Sequence, residues 1–237
     1  MNDKLLIPVS IIIAGILVGA GFYLNSRNQI DNPNTGKNTN TNNTSYGATA
    51  VEIRPIDAND HVLGNPDARV VMIEYSDTEC PFCKEYHKTL RALMTEYGAS
   101  GKALWVYRHF PIAELHSKAP KEAEALECAA ELGGSAKFWE YTNRIYEVTP
   151  ANNGLDPKEL LNIAKQVGLS SEAFQTCLDS NQYVPRVQID INEAYGAGAQ
   201  GTPFTILLDT KTGDTYPING AYPYSELKKI IDLILQS

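Results

Sequence analysis

Two cysteines with two residues between them, in Glu79-Cys80-Pro81-Phe82-Cys83-Lys84, stand between an apolar run ending at Tyr75 and the segment KEYHKTLRALMTEYG. In that segment Tyr86, Leu90, Leu93, Met94 and Tyr97 recur at helical spacing, so the cysteines open a helix. A thiol reacts as its thiolate, and the unpaired N–H groups and partial positive charge of a helix N-terminus lower its pKa. Cys80 is therefore expected to be the exposed attacking sulfur, and Cys83, one turn in, the buried resolving one. Pro81 suits a first helical turn because it has no N–H to waste there. Phe82 adds an apolar surface for a protein substrate, while Glu79 opposes thiolate formation at Cys80 if its charge lies close. A zinc site would want a second pair at ligand spacing, and Cys128 and Cys177 stand alone in the sequence. His87 adds only one further ligand, so no metal is expected here. A purely structural bond across so small a loop gains little from loop closure. Electron exchange with other proteins is the reading that remains.

The elements around the pair follow from pattern. The chain has 237 residues and a formal net charge of -8 with no basic run interleaved with aromatics, which argues against a nucleic-acid partner. Residues 5–24 (LLIPVSIIIAGILVGAGFYL) carry no charge and are long enough to cross a bilayer as a helix. They read as a transmembrane anchor after a short tail, residues 1–4; a small-x-small cleavage site that would mark a signal peptide is missing. Residues 25–50, rich in Asn, Thr and Gly, read as a disordered linker, with Asn42 and Asn43 in glycosylation-type sequons.

Residues 51–237 read as one α/β domain. Val51 to Ile56 is the expected first strand and Asp60 to Pro66 a turn. Arg69 to Tyr75 is a buried central strand and Ala103 to Phe110 its parallel neighbour across the cysteine helix. From 117 to 199 the strand signals stop, and helices are expected at Lys121 to Leu132, Ala136 to Tyr146, Pro157 to Val167, Ser171 to Asp179 and Pro185 to Tyr195. Strands return at Phe204 to Leu208 and Tyr216 to Asn219, and a helix from Ser225 to Gln236 closes the chain. Trp105 and Trp139 read as core. The acidic residues of Lys121-Glu122-Ala123-Glu124 read as helix-start charges, and His61, His109 and His116 as isolated surface or packing residues.

The run VVMIEYSDTECPFC, the block of helices and Gly201-Thr202-Pro203-Phe204 before the last strands together resemble the thioredoxin-fold superfamily. More closely, they resemble the DsbA-like thiol:disulfide oxidoreductases of the membrane-anchored or secreted bacterial branch. The resemblance covers residues 51–237 and implies a thioredoxin fold with an inserted helical domain. It makes Cys80 the nucleophile and Cys83 the resolving cysteine. It makes Pro203 a cis-proline facing them, and Thr202 the presenter of backbone groups to an extended substrate. Glu74 takes the place of the buried acid beneath the cysteines; the alternative is a solvated strand-end glutamate. Phe82 departs from the pattern, because the most oxidising members carry a histidine there that stabilises the thiolate, so a less oxidising pair is expected. Cys128 and Cys177 fall on apolar faces of two inserted helices. A structural disulfide between them is favoured over two buried thiols, since the count is even for an extracytoplasmic protein and some family members have such a bond.

The function so implied is disulfide formation in secreted or envelope proteins, by an extracytoplasmic domain tethered to the membrane. It needs no cofactor, and a DsbB-like or VKOR-like membrane protein would reoxidise it. A reductase or isomerase of the same fold is the alternative, and a redox-inert chaperone binding peptides at Phe82, Thr202 and Pro203 a more distant one.

Overall fold

β2 (Val70–Ser76) is buried at all seven positions, and β3 (Ala103–His109) likewise, because both lie inside a five-stranded sheet covered on its two faces. These strands belong to a computed structural model that describes residues 49–237. The expected anchor at 5–24 and nearly all of the expected linker lie outside the described residues, among which no helix is long and apolar enough to cross a membrane. The sheet order is β1-β3-β2-β4-β5, with β1 at His61–Gly64, β4 at Phe204–Asp209 and β5 at Thr215–Asn219. β2 and β3 run parallel, and the other pairs are antiparallel.

Alternation along β2 divides the core. Val70 and Met72 face the larger layer with Trp105 and Tyr107 of β3, whereas Val71, Ile73 and Tyr75 face the other layer with Leu104 and Val106. α1 (Pro81–Leu93), continued by a wider turn over Met94–Gly98, lies on the first face and buries Cys83, Tyr86, His87, Leu90 and Leu93. The same layer receives α6 (Tyr224–Gln236) through Leu227, Ile230, Ile231 and Ile234, which share one stripe of the helix.

The insertion consists of α2 (Ala119–Val148), α3 (Lys158–Gln166), α4 (Ser171–Ser180) and α5 (Val184–Gly196). Two of the expected helices are the halves of α2. They meet at Gly134, whose φ of 70° and ψ of -169° interrupt the helical path in a conformation that favours glycine. The sulfurs of Cys128 in α2 and Cys177 in α4 are bonded, tying helices 49 residues apart in the chain.

Two expectations at the start of the domain are corrected. Val51 to Ile56 is not a strand; the first one is His61–Gly64, inside the segment expected to be a turn. Four residues are too few to show a period, and the turn signals Gly64, Asn65 and Pro66 dominate the local reading. The strand exists because β3 supplies partners, from His61 opposite Tyr107 to Gly64 opposite Leu104. Arg54, in the expected strand, instead joins a buried ion network with Asp60, Asp190 and Glu193. Arg108 of β3, fully buried, completes it with bonds to Asp60 and Glu193 of 2.9 and 2.7 Å.

Closing a loop of this length stabilises by about 4 kcal/mol at most in the chain-entropy model, so Cys128→Ser/Cys177→Ser should lose up to that amount in denaturant unfolding. In a Cys80→Ser/Cys83→Ser variant kept without reductant, alkylation should add no mass. Two labelled thiols there would overturn the bond.

Candidate active site

Strand β2 delivers the chain to the site, and a carboxylate turns it. Asp77 accepts hydrogen bonds from the backbone N–H groups of Glu79 and Ile112 and from His116 Nδ1, each at 2.8 Å. That turn sets Cys80 at the N-cap of α1 with extended backbone (φ -77°, ψ 122°) and Pro81 at the first helical position. The Cys80 carbonyl accepts from the Lys84 N–H at 3.1 Å, starting the helical ladder.

Cys80 and Cys83 are both thiols in the structure. From across the chain the Thr202-Pro203 peptide, which is cis, comes to the pair, and the Cys80 thiol donates to the Thr202 carbonyl at 3.4 Å. The expected exposure of Cys80 is corrected: it is only 4 % exposed, because the Thr202 segment covers it, whereas Cys83 is fully buried as expected. What stays open is a groove of about 550 Å³ beside Cys80, walled by Phe82, Ile112, Leu115, Tyr195 and Thr202. Phe82, Leu115 and Tyr195 are 66, 66 and 59 % exposed, so an apolar surface surrounds the one sulfur that reaches it.

The two sulfurs differ in electrostatics. Hydrogen bonding from Cys83 brings Cys80 down to about 6 against the opposing effect of burial, with help from Thr202 and from the backbone N–H groups of Cys83 and Phe82. Burial, and then the neighbouring Cys80, push Cys83 well above the ordinary thiol value. One sulfur of the pair holds charge readily and the other resists it.

Glu74 lies on the α1 side of β2, fully buried, which excludes the solvated alternative. Burial raises its pKa to about 7, while bonds from Ser76 Oγ (2.8 Å) and Trp105 Nε1 (3.0 Å) hold it below what burial alone would give. Ser76 was not singled out by sequence reasoning. Its hydroxyl joins Glu74 to the Cys83 thiol, which it pulls down, and lies 2.9 Å from Tyr146 Oη, itself 3.2 Å from Tyr107 Oη. Two tyrosines thus contribute hydroxyls to this network, and only the alternation Glu74-x-Ser76 on one strand face points to it in the sequence.

Glu79 does not aim its charge at Cys80. Its carboxylate accepts from the N–H groups of Gly154 and Leu155 at 3.2 Å each, and its carbonyl from Asn152 N–H at 2.7 Å. It thereby holds a loop in which Ala151, Asn152 and Asn153 all have positive φ. Glu122, expected to be a helix-start charge, is 2 % exposed; burial and then its bond to Glu79 raise it to about 8, and Thr78 Oγ1 donates to it at 2.5 Å. His87 faces the insertion, not the cysteines: its Nε2 lies 2.8 Å from Asn143 Oδ1, its ring stacks on Tyr146 at 4.5 Å, and burial lowers it to about 4. The three histidines expected to be isolated are not. His116 bonds Asp77, whereas His61 and His109 meet at Glu127.

The chain spans about a quarter of the length of the curated relatives it matches. It is 33 % identical over 151 residues to Na(+)/H(+) antiporter NhaA 3 of Salinispora tropica, covering 63 % of this chain and 22 % of that protein. With Na(+)/H(+) antiporter NhaA 1 of Mycolicibacterium gilvum the figures are 32 % over 162 residues, 67 % and 25 %. Each likeness is to one part of a longer protein and carries no ion transport with it. Among solved structures, DsbA2 of Pseudomonas aeruginosa is 27 % identical with a TM-score of 0.63, covering 76 % of this chain and 97 % of that one. Oxidised BdbD of Bacillus subtilis superposes with a TM-score of 0.68 at 22 % identity, over 79 % and 99 % of the two chains, and shows the shared fold. A family model described as thioredoxin matches residues 57–233, which contain every element above from β1 to α6 apart from the last three residues of that helix. The chain therefore belongs to the thioredoxin family and is a DsbA-like, thioredoxin-fold member of it.

Proposed function

We propose that this protein is a thiol:disulfide oxidoreductase that forms disulfide bonds in reduced secreted or envelope proteins, its catalytic domain held on the extracytoplasmic side by an N-terminal membrane helix. The observation that carries the reading is the asymmetry of the cysteine pair: the sulfur beside the apolar groove is the one whose thiolate is stabilised.

In the oxidised enzyme a substrate thiolate attacks Cys80 Sγ. The Cys80–Cys83 bond breaks, a substrate–Cys80 mixed disulfide forms, and Cys83 leaves with the electron pair. A thiolate at a fully buried site is costly, so Cys83 takes a proton. Glu74, near half-protonated at neutral pH, supplies it through Ser76, whose single hydroxyl proton serves either the carboxylate or the sulfur. A second substrate thiolate then attacks the substrate sulfur of the mixed disulfide, and Cys80 leaves as the stabilised thiolate. The substrate loses two electrons and the enzyme ends as the dithiol. The Thr202 backbone and Pro203 hold the substrate as an extended segment along the groove, Phe82 and Pro81 contact its side chains, and no organic cofactor takes part. A quinone-linked membrane protein, DsbB-like or VKOR-like, takes the two electrons and restores the disulfide.

A stabilised thiolate favours the dithiol and so makes the disulfide oxidising. Sign and window follow from Cys80: its folded pKa of about 6 lies below the ordinary 9.0, so its stabilisation of the reduced protein is full above pH 9 and lost as pH falls through 6. The reduced form should therefore gain thermal stability over the oxidised form between pH 6 and 9. Equilibrated against glutathione, the pair should have a potential of roughly -120 to -180 mV; a value near about -270 mV would put the reductase direction first. Phe82→His should raise it further.

Alkylation rate of the reduced protein should follow an apparent pKa of about 6, with the label on Cys80. A midpoint near the ordinary thiol value of 9.0 would remove the basis of the proposal. Glu74→Gln should slow attack of a thiol on the Cys80–Cys83 disulfide about tenfold or more at neutral pH while leaving Cys80 alkylation within about twofold. An unchanged rate of that attack would deny Glu74 its proton-transfer role.

A further inference from the structure

Three side chains from distant parts of the chain converge on one carboxylate oxygen. His61 opens the edge strand β1, His109 ends β3, and Glu127 lies in the first half of α2. The Nε2 atoms of His61 and His109 lie 3.0 and 2.9 Å from the same oxygen, Glu127 Oε1, and the three ligand-type atoms are all within 4.8 Å of one another. The residues are 8, 1 and 4 % exposed, respectively. Their rings are set by packing: His61 lies flat on Phe138 at 3.6 Å and 10°, and His109 meets Tyr107 edge to face at 5.5 Å and 73°.

This arrangement is close to what a small dication needs. Bonds of about 2.0–2.1 Å at the tetrahedral angle space donor atoms by about 3.3 Å, so the histidine–carboxylate distances of 2.9 and 3.0 Å ask for shifts of a few tenths of an ångström, and the two histidine nitrogens, within 4.8 Å of each other, settle toward the same spacing by side-chain rotation. The donor set selects the ion: two imidazole nitrogens and one carboxylate suit the zinc class of transition metals, whereas calcium and magnesium prefer oxygen throughout. Three protein ligands leave the fourth tetrahedral position for water.

We propose that His61, His109 and Glu127 bind one divalent transition metal ion of the zinc class, pinning the short edge strand β1 and the end of β3 to the helical insertion through α2. The proposal does not depend on the direction of electron flow at the cysteines.

The test uses the full chain with Cys80 and Cys83 oxidised, so that no thiolate competes, and cobalt(II) alone as the probe. Visible d–d absorption should saturate at one equivalent and disappear when zinc(II) is added. His61→Asn and Glu127→Gln, checked for native near-ultraviolet circular dichroism, should each bind about tenfold or more weakly, since even groups behind a ligand cost that much. His116→Asn, which touches only the Asp77 pair among the clusters described, should bind as the parent does. If Glu127→Gln does not fold, His61→Asn decides, because it alters one side chain of an edge strand. Absence of saturable cobalt absorption in the folded parent, undiminished binding in His61→Asn, or loss of binding in His116→Asn would each overturn the proposal.

Discussion

The properties of the cysteine pair depend on where helix α1 begins. β2 runs buried to Ser76, Asp77 turns the chain, and Cys80 becomes the residue whose sulfur meets the free N–H groups of the first turn. One helical turn of depth separates it from Cys83, and that depth gives the two thiols opposite shifts. The Thr202-Pro203 segment then closes over Cys80 from 122 residues further along the chain and leaves one groove as the way in. The groove thus opens on the sulfur whose thiolate is stabilised, and the buried sulfur sits over the network of Glu74, Ser76 and the two tyrosine hydroxyls.

Much of the charge around this site is buried, and each group has a specific answer to that. Arg108 is surrounded by Asp60 and Glu193; Glu127 is held well below the usual carboxylate range by His109 and His61 in spite of its burial. Glu74 and Glu122 answer differently, by keeping protons to about pH 7 and 8. Both folded pKa values lie above the ordinary 4.5, so between pH 4.5 and these values the folded state binds more protons than the unfolded chain, and stability from these two groups falls as pH rises. That is a cost the fold carries at neutral pH. For Glu74 it leaves a proton beside Cys83; for Glu122 it lets two carboxyl groups share the base of the loop that Glu79 holds beside Cys80.

What was legible in the sequence was local or carried by a motif. The helix under Cys80 showed through its apolar spacing, the central strands through their apolar runs, and the break in α2 through Gly133 and Gly134. The first strand was not legible, because four residues at a sheet edge owe their conformation to the partner strand. Glu122 looked like any acidic residue in a first helical turn, and only the packing of Thr78 and Glu79 against it makes it a buried acid. His61 and His109 are 48 residues apart, and no spacing rule connects them to each other or to Glu127.

The sequence by itself determined which atoms can do redox chemistry and which of them starts a helix, since both depend on residue type and on contacts a few positions away. The tertiary structure alone decided how much water reaches each atom and which polar group lies opposite it. It covered Cys80 with Thr202, stood Ser76 between Glu74 and Cys83, and gathered two histidines on one carboxylate. Desolvation and through-space charge act at a few ångströms of distance whatever the separation along the chain, so the pKa values that set the chemistry become definite only when the fold is complete.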